Sequence, residues 1–269
     1  MFQKLLNKFS LVMEKIEFKF FSYILRKYDV EFFYKDQLSI LSKRDYKDNF
    51  EYIFKTKNSC DAIPMMAALS SKISGCNICF DIGANIGITT VWMARNCNKV
   101  YAFEPCKQNL ERLKENLAVN HISNVEVISK AVSDNVGQEI FYIRESYGHH
   151  SLLPGHVSKV IEKVSIETVT LDSFCFDNKI DYIDFLKIDV EGAELKVLNG
   201  ASQLLKNKRI GLIVFEYSPI LHSMQNRDVS EVIQYIVKSG YKVFKINHEE
   251  INPEMISSLG QEDLYAIPI

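Results

Sequence analysis

From residue 77 the chain alternates short apolar runs with longer stretches patterned at helical spacing. Residues 77–81 form the first run, which ends in the segment DIGANIG, and 86–94 follow with Ile88, Val91 and Trp92 on one helical face. Residues 99–104 (KVYAFE) predict the next strand, 107–120 a helix with Leu110, Leu113 and Leu117 on one stripe, and 124–129 (NVEVIS) a third strand. A second series predicts strands over 139–143 and 163–170, separated by a polar loop bearing glycine and histidine. A strand over 182–189, a helix over 193–205, an apolar strand over 210–217 and a helix over 229–238 closed by Gly240 come next. Residues 241–246 and 264–269 predict the last two strands. Strands alternating with helices of this length imply a doubly wound α/β domain, its mostly parallel sheet covered on both faces.

Residues 1–55 depart from this pattern and hold 14 of the 31 aromatic side chains, among them Phe18, Phe20, Phe21, Phe32, Phe33 and Tyr34. The chain therefore divides into an N-terminal helical, aromatic cap segment over 1–60 and one α/β domain over 61–269, long enough to bury a full core. Clustered rings most often fill cores. The first 50 residues carry 10 Lys/Arg against 7 Asp/Glu, too small a surplus to favour a peripheral membrane contact through 1–55 over a cap that packs on the domain.

Composition narrows the partners. A net charge of -2 gives no basic footprint for nucleic acid. No window approaches the roughly 18 apolar residues that span a bilayer, and Lys4, Lys8, Glu14 and Lys15 interrupt any secretory apolar run, so the cytoplasm is the expected location. Six cysteines are too few for a disulfide framework. Cys76 and Cys79 form one CxxC pair with no second pair or nearby histidine, and Cys79 sits in an apolar run, so it reads as a small buried hydrophobe and no metal is expected there.

The chemistry concentrates in Asp81-Ile82-Gly83-Ala84-Asn85-Ile86-Gly87, where the first strand meets the first helix. Gly83 and Gly87 allow a sharp turn and a close ligand approach, and a helix start offers unpaired N–H groups to a carboxylate. Glu104, at the end of the next strand, is placed to accept hydrogen bonds from a ribose diol. A dinucleotide favours GxGxxG, but Asn85 stands at its middle glycine and Asp81 would repel a pyrophosphate. An amino-acid zwitterion fits better, its ammonium on Asp81 and its carboxylate on the loop. A dinucleotide-dependent oxidoreductase is therefore the weaker reading.

DIGANIG, AFEP (102–105) and KIDVEGAE (187–194) together resemble the FkbM-type methyltransferases over residues 77–217. The resemblance implies a class I, Rossmann-like fold with a seven-stranded sheet whose last strand is antiparallel. It implies S-adenosylmethionine as methyl donor and O-methylation, often of sugar or polyketide hydroxyls. Carried over, Asp81, Gly83, Asn85 and Gly87 would hold the methionine end, Glu104 the ribose, and Ala131, Val132 and Ser133 would flank the adenine. Asp189, at the fourth strand end, would face donor and acceptor, with Glu191 and Gly192 starting the next helix.

A hydroxyl acceptor must lose its proton. His149, His150 and His156 lie in the loop over 144–160, while Asp189, Glu216 and His222 follow strand ends. We take His150 or Asp189 as the base, with Glu191 a third catalytic candidate; exposure in a polar loop is the plainer reading of the histidines. Asp189-Val190-Glu191-Gly192 stands where amide- and adenine-modifying enzymes carry Asn/Asp-Pro-Pro-Tyr/Phe, which argues against base or amide N-methylation. Carboxylates at 189, 191 and 216 leave room for a catecholate-type cation site, though no metal constellation is evident. The acceptor is expected to be a glycan or other small molecule. The competing class is a donor-binding module without catalysis.

Overall fold

The computed structural model describes residues 30–34, 37–41, 62–145 and 148–269, and the chain divides into two units, Met1–Cys60 and Asp61–Ile269. In the first unit β1 (Val30–Tyr34) and β2 (Gln37–Leu41) pair as an antiparallel hairpin. The helical reading of this segment is corrected there. VEFFY is rich in aromatic and branched side chains that favour extended backbone. The readings placed on the rest of 1–60, including cap and membrane roles, lie outside the described residues.

In the second unit seven strands form one sheet in the order β11-β12-β10-β9-β3-β4-β5. These are β3 (Cys76–Ile82), β4 (Cys97–Phe103), β5 (Val125–Ile128), β9 (Ile183–Ile188), β10 (Ile210–Tyr217), β11 (Tyr241–Lys245) and β12 (Glu262–Pro268). All neighbours are parallel except β12, which runs antiparallel to both β10 and β11. The seven-stranded sheet with an antiparallel last strand is thus the one expected.

Strand alternation divides the core into two faces. Cys79, Phe185, Leu212 and Val214 pack with Met65, Leu69 and Ile73 of α1 (Ala62–Ile73) and Trp92 and Met93 of α2 (Ile88–Asn96). Phe80, Ile82, Leu186, Ile188, Ile213 and Phe215 face the other way, against α5 (Glu194–Asn199), α6 (Ser202–Lys206) and α8 (Ser230–Lys238). Helix α1 was not anticipated, although Met65, Leu69 and Ile73 recur every fourth residue. Helices α3 (Lys107–Val119), α4 (Leu171–Asp177) and α7 (Pro219–Met224) complete the set. The single helix expected over 193–205 is broken at Gly200: a Cβ there would lie 2.1 Å from the Ser133 carbonyl oxygen, so this turn must stay bare.

The strands expected over 139–143 and 163–170 exist as β7 (Gly137–Arg144) and β8 (Val160–Val169), but outside the main sheet. They pair antiparallel, and β6 (Ala131–Val132) joins β8 in a separate three-stranded sheet. The histidine loop between them turns back through a bridge between Tyr142 and Ser151.

Candidate active site

Strand order reverses between β3 and β9, which opens a crevice outside the carboxyl ends of the parallel strands. Gly83 follows β3, Glu104 follows β4, Asp189 follows β9 and Glu216 lies near the end of β10. Three left-handed residues shape the first loop: Gly83 (φ 81°), Asn85 (φ 50°) and Gly87 (φ 91°). Gly83 is required by the protein's own packing, a reason the sequence did not show, while Gly87 is favoured by its left-handed backbone. A Cβ on Gly83 would sit 1.8 Å from the Asp189 carbonyl oxygen, and one on Gly87 would sit 2.4 Å from Leu113.

Asp81 is fully buried. Its Oδ2 accepts the hydroxyls of Thr89 (3.0 Å) and Thr90 (2.6 Å), while Oδ1 lies 3.7 Å from Lys187 Nζ and has no hydrogen-bond donor. Asn85 Oδ1 is likewise enclosed without a donor. Two acceptors lacking donors at this loop suit a ligand that brings an ammonium. Glu104 accepts the N–H of Asn85 and of Cys106, each at 2.8 Å. The Asn109 side chain donates to Glu104 as well, which leaves the carboxylate one lone-pair site for a hydroxyl. Burial pushes Glu104 up to about 7 against those hydrogen bonds.

Ala131, Val132 and Ser133 are buried, and the Ser133 hydroxyl is engaged by Glu139 and Asp134. Their side chains therefore face the protein, and only adjoining backbone could meet a base.

The strand ends gather three carboxylates. Carboxylate oxygens of Asp189, Glu191 and Glu216 all lie within 4.8 Å of one another, each residue half-buried. Register explains Glu216: Phe215 pairs with Ile188, so the residues that follow emerge side by side. Burial first, then Asp189 and other acids, pushes Glu216 up to about 8, and burial with Asp189 and Glu216 raises Glu191 well above the ordinary range. Lys187 Nζ, 3.0 Å from Asp189, bridges this group to Asp81. Lys187 was missed as a functional residue, although it opens KIDVEGAE.

The histidines separate by partner. His150 Nδ1 accepts the Arg144 N–H at 3.1 Å, so the neutral ring carries its hydrogen on Nε2 and has no lone pair left to take a proton. Burial also lowers it to about 4. His150 therefore does not have the geometry of a base. His156 reaches Glu191, Nε2 to Oε2 at 3.0 Å, and its Nδ1 accepts the Ser158 N–H, so Nε2–H donates to the carboxylate. Ser151 Oγ donates to the Val190 and Glu191 carbonyls at 3.2 and 3.0 Å, pinning the loop to the turn after β9. A cavity of about 740 Å³ between α8, β11 and residues 253–258 includes none of the three carboxylates.

Raised carboxyls carry a stability consequence. Glu104, Glu194 and Glu216 stand at about 7, 7 and 8 against an ordinary 4.5. A folded-state pKa above the unfolded one means that folding favours the protonated form. Their contribution is full below about 4.5 and is lost as pH rises to about 8. Thermal unfolding of Glu104→Gln is expected to fall less steeply over this window than that of the parent.

The sheet order, the loop after β3 and the acid after β4 define a Rossmann-like methyltransferase domain. A model of the methyltransferase FkbM domain matches residues 81–243, and the chain belongs to that family. It is 30% identical over 154 residues to methyltransferase sdnD of Sordaria araneosa, covering 46% of this chain and 60% of that one. It is 24% identical to the hexuronic acid methyltransferase AglP of Haloferax volcanii, covering 65% and 68%. With the 2-O-methyltransferase NoeI of Sinorhizobium fredii the identity is 25%, covering 68% and 80%. Among the described residues no helix is long and apolar enough to cross a membrane.

Proposed function

We propose that this chain transfers a methyl group from S-adenosylmethionine to a hydroxyl oxygen of a sugar, glycan or other small molecule. The observation that carries the reading is the carboxylate group of Asp189, Glu191 and Glu216 at the strand ends beside the donor loop. A base works best with a pKa near the operating pH. Burial and repulsion from neighbouring acids raise Glu191 well above the ordinary carboxylate range and Glu216 to about 8. Two relatives are named for hexuronic acid and 2-O methylation, which supports a sugar hydroxyl as the acceptor class.

The donor's sulfonium supplies an electrophilic methyl carbon. Asp81 and Asn85 offer acceptors to its ammonium, and Glu104 offers its remaining lone-pair site to a ribose hydroxyl. Glu191, oriented by the His156 N–H, takes the hydroxyl proton as the acceptor oxygen attacks in line. The carboxylate group shares that proton and passes it to solvent. Positioning alone can supply roughly 7–11 kcal/mol.

Calorimetric titration with S-adenosylmethionine tests the donor site. Glu104→Ala removes a charge-assisted hydrogen bond to the ribose and is expected to weaken binding by about 10-fold or more; parent-like affinity would remove the assignment. Production of S-adenosylhomocysteine with a panel of hexuronic acids and other sugars tests the acceptor, and a chelator added to the same assay is expected to leave the rate unchanged.

A further inference from the structure

Beyond the acids that face the crevice lies a buried pair. Glu194, in the first turn of α5, and His222, in α7, have side chains 1% and 2% exposed. Glu194 Oε2 and His222 Nε2 face each other at 4.0 Å, and neither has a hydrogen-bond partner. His222 Nδ1 lies 3.0 Å from the Ser218 carbonyl oxygen, so Nδ1 carries the hydrogen and Nε2 a lone pair. Two lone-pair atoms held together out of water are costly unless a proton stands between them.

The other oxygen of Glu194 holds the turn that bears Glu191. Oε1 accepts the Gly192 N–H at 3.1 Å, and the N–H groups of Glu194 and Val190 also point at the carboxyl. That turn contains two successive left-handed residues, Glu191 (φ 57°) and Gly192 (φ 94°). A side chain at positive φ is strained, so something must hold Glu191 there.

We propose that Glu194 holds one buried proton facing the lone pair of His222 Nε2, and that this pair is a positioning device for the turn that presents Glu191. It deepens the proposed function and rests on it only for the role of Glu191. Burial supports the neutral form on both sides, raising Glu194 to about 7 and lowering His222. The groups facing the pair are Asp189 after β9, Glu191 in the turn, Glu216 on β10, and Arg227, Asp228 and Glu231 around α7 and α8. Loss of that proton on the alkaline side would leave a carboxylate against a lone pair and close to three other acids. The turn would then loosen.

The test has two parts. Infrared difference spectra of the parent against Glu194→Gln at neutral pH are expected to show a protonated carboxyl band lost in the variant. Nitrogen NMR of the imidazoles, assigned with His222→Gln, is expected to show His222 neutral with hydrogen on Nδ1. An unchanged carboxyl region, or an imidazolium or Nε2–H signal at His222, overturns the proposal. Neither measurement needs an acceptor, so a failure to find methyl transfer bears on the functional reading alone. With an acceptor in hand, the parent rate is expected to drop on the alkaline side and Glu194→Gln to lose that drop, because its amide donor cannot dissociate. His222→Phe is expected to lower kcat by about 10-fold or more with donor KM little changed. Identical alkaline limbs in parent and Glu194→Gln would count against a positioning role.

Discussion

Replacing Glu191 with glutamine is expected to lower kcat by about 10²- to 10⁴-fold, the usual contribution of a placed base. Donor affinity should stay within roughly threefold, since an interaction used only in the transition state leaves ground-state binding alone. The side chain sits in the turn after β9, oriented by the His156 N–H at 3.0 Å and within 4.8 Å of Asp189 and Glu216. Because a base must be deprotonated, parent activity is expected to rise with pH. The rise should lie well above the ordinary carboxylate range, since burial and neighbouring acids raise Glu191 and hold Glu216 at about 8. Glu191 and Glu216, this close, titrate as a unit. Glu191→Gln should therefore change the position of the acidic limb as well as its height. A variant with parent-like kcat would transfer the role to Asp189 or Glu216.

Lys187→Met is expected to destabilise the domain by about 3–5 kcal/mol, the cost of leaving a buried charge unpaired. Lys187 is 6% exposed and stands between Asp189 at 3.0 Å and the fully buried Asp81 at 3.7 Å. Although burial works against its charge, those two carboxylates outweigh the penalty and keep Lys187 above the ordinary lysine range. Methionine fills similar space without the cation, so Asp81 would retain only the hydroxyls of Thr89 and Thr90. Urea unfolding measures the loss directly, and thermal unfolding should show a fall of roughly 6–20 °C for a domain of this size. A smaller change, under about 1 kcal/mol, would mean that the threonines suffice and that the ion pair is spectator chemistry.

Local pattern carried much of this protein. The alternation of runs from Asn77 to Tyr217 stated the parallel core, because side-chain period is a property of each segment alone. DIGANIG located the turn after β3, and the acid ending KVYAFE located Glu104. Those assignments need only neighbours in sequence. The hairpin of β7 and β8 was legible as strands, yet not as a separate sheet, since strand partners are chosen between distant segments. Which histidine meets Glu191 was beyond reach for the same reason: the Tyr142–Ser151 bridge and the Arg144 backbone bind His150 and leave His156 to the turn.

The sequence by itself determined the order of the main-sheet strands and of helices α2, α3 and α8, the donor-loop motif and the family resemblance, through spacings that act within one element. Only the tertiary structure decided why Gly83 must be glycine, how Lys187 joins Asp81 to Asp189, and that Glu216 stands beside them. Each of those depends on β9 lying between β3 and β10, and distances across a sheet are set by long-range packing.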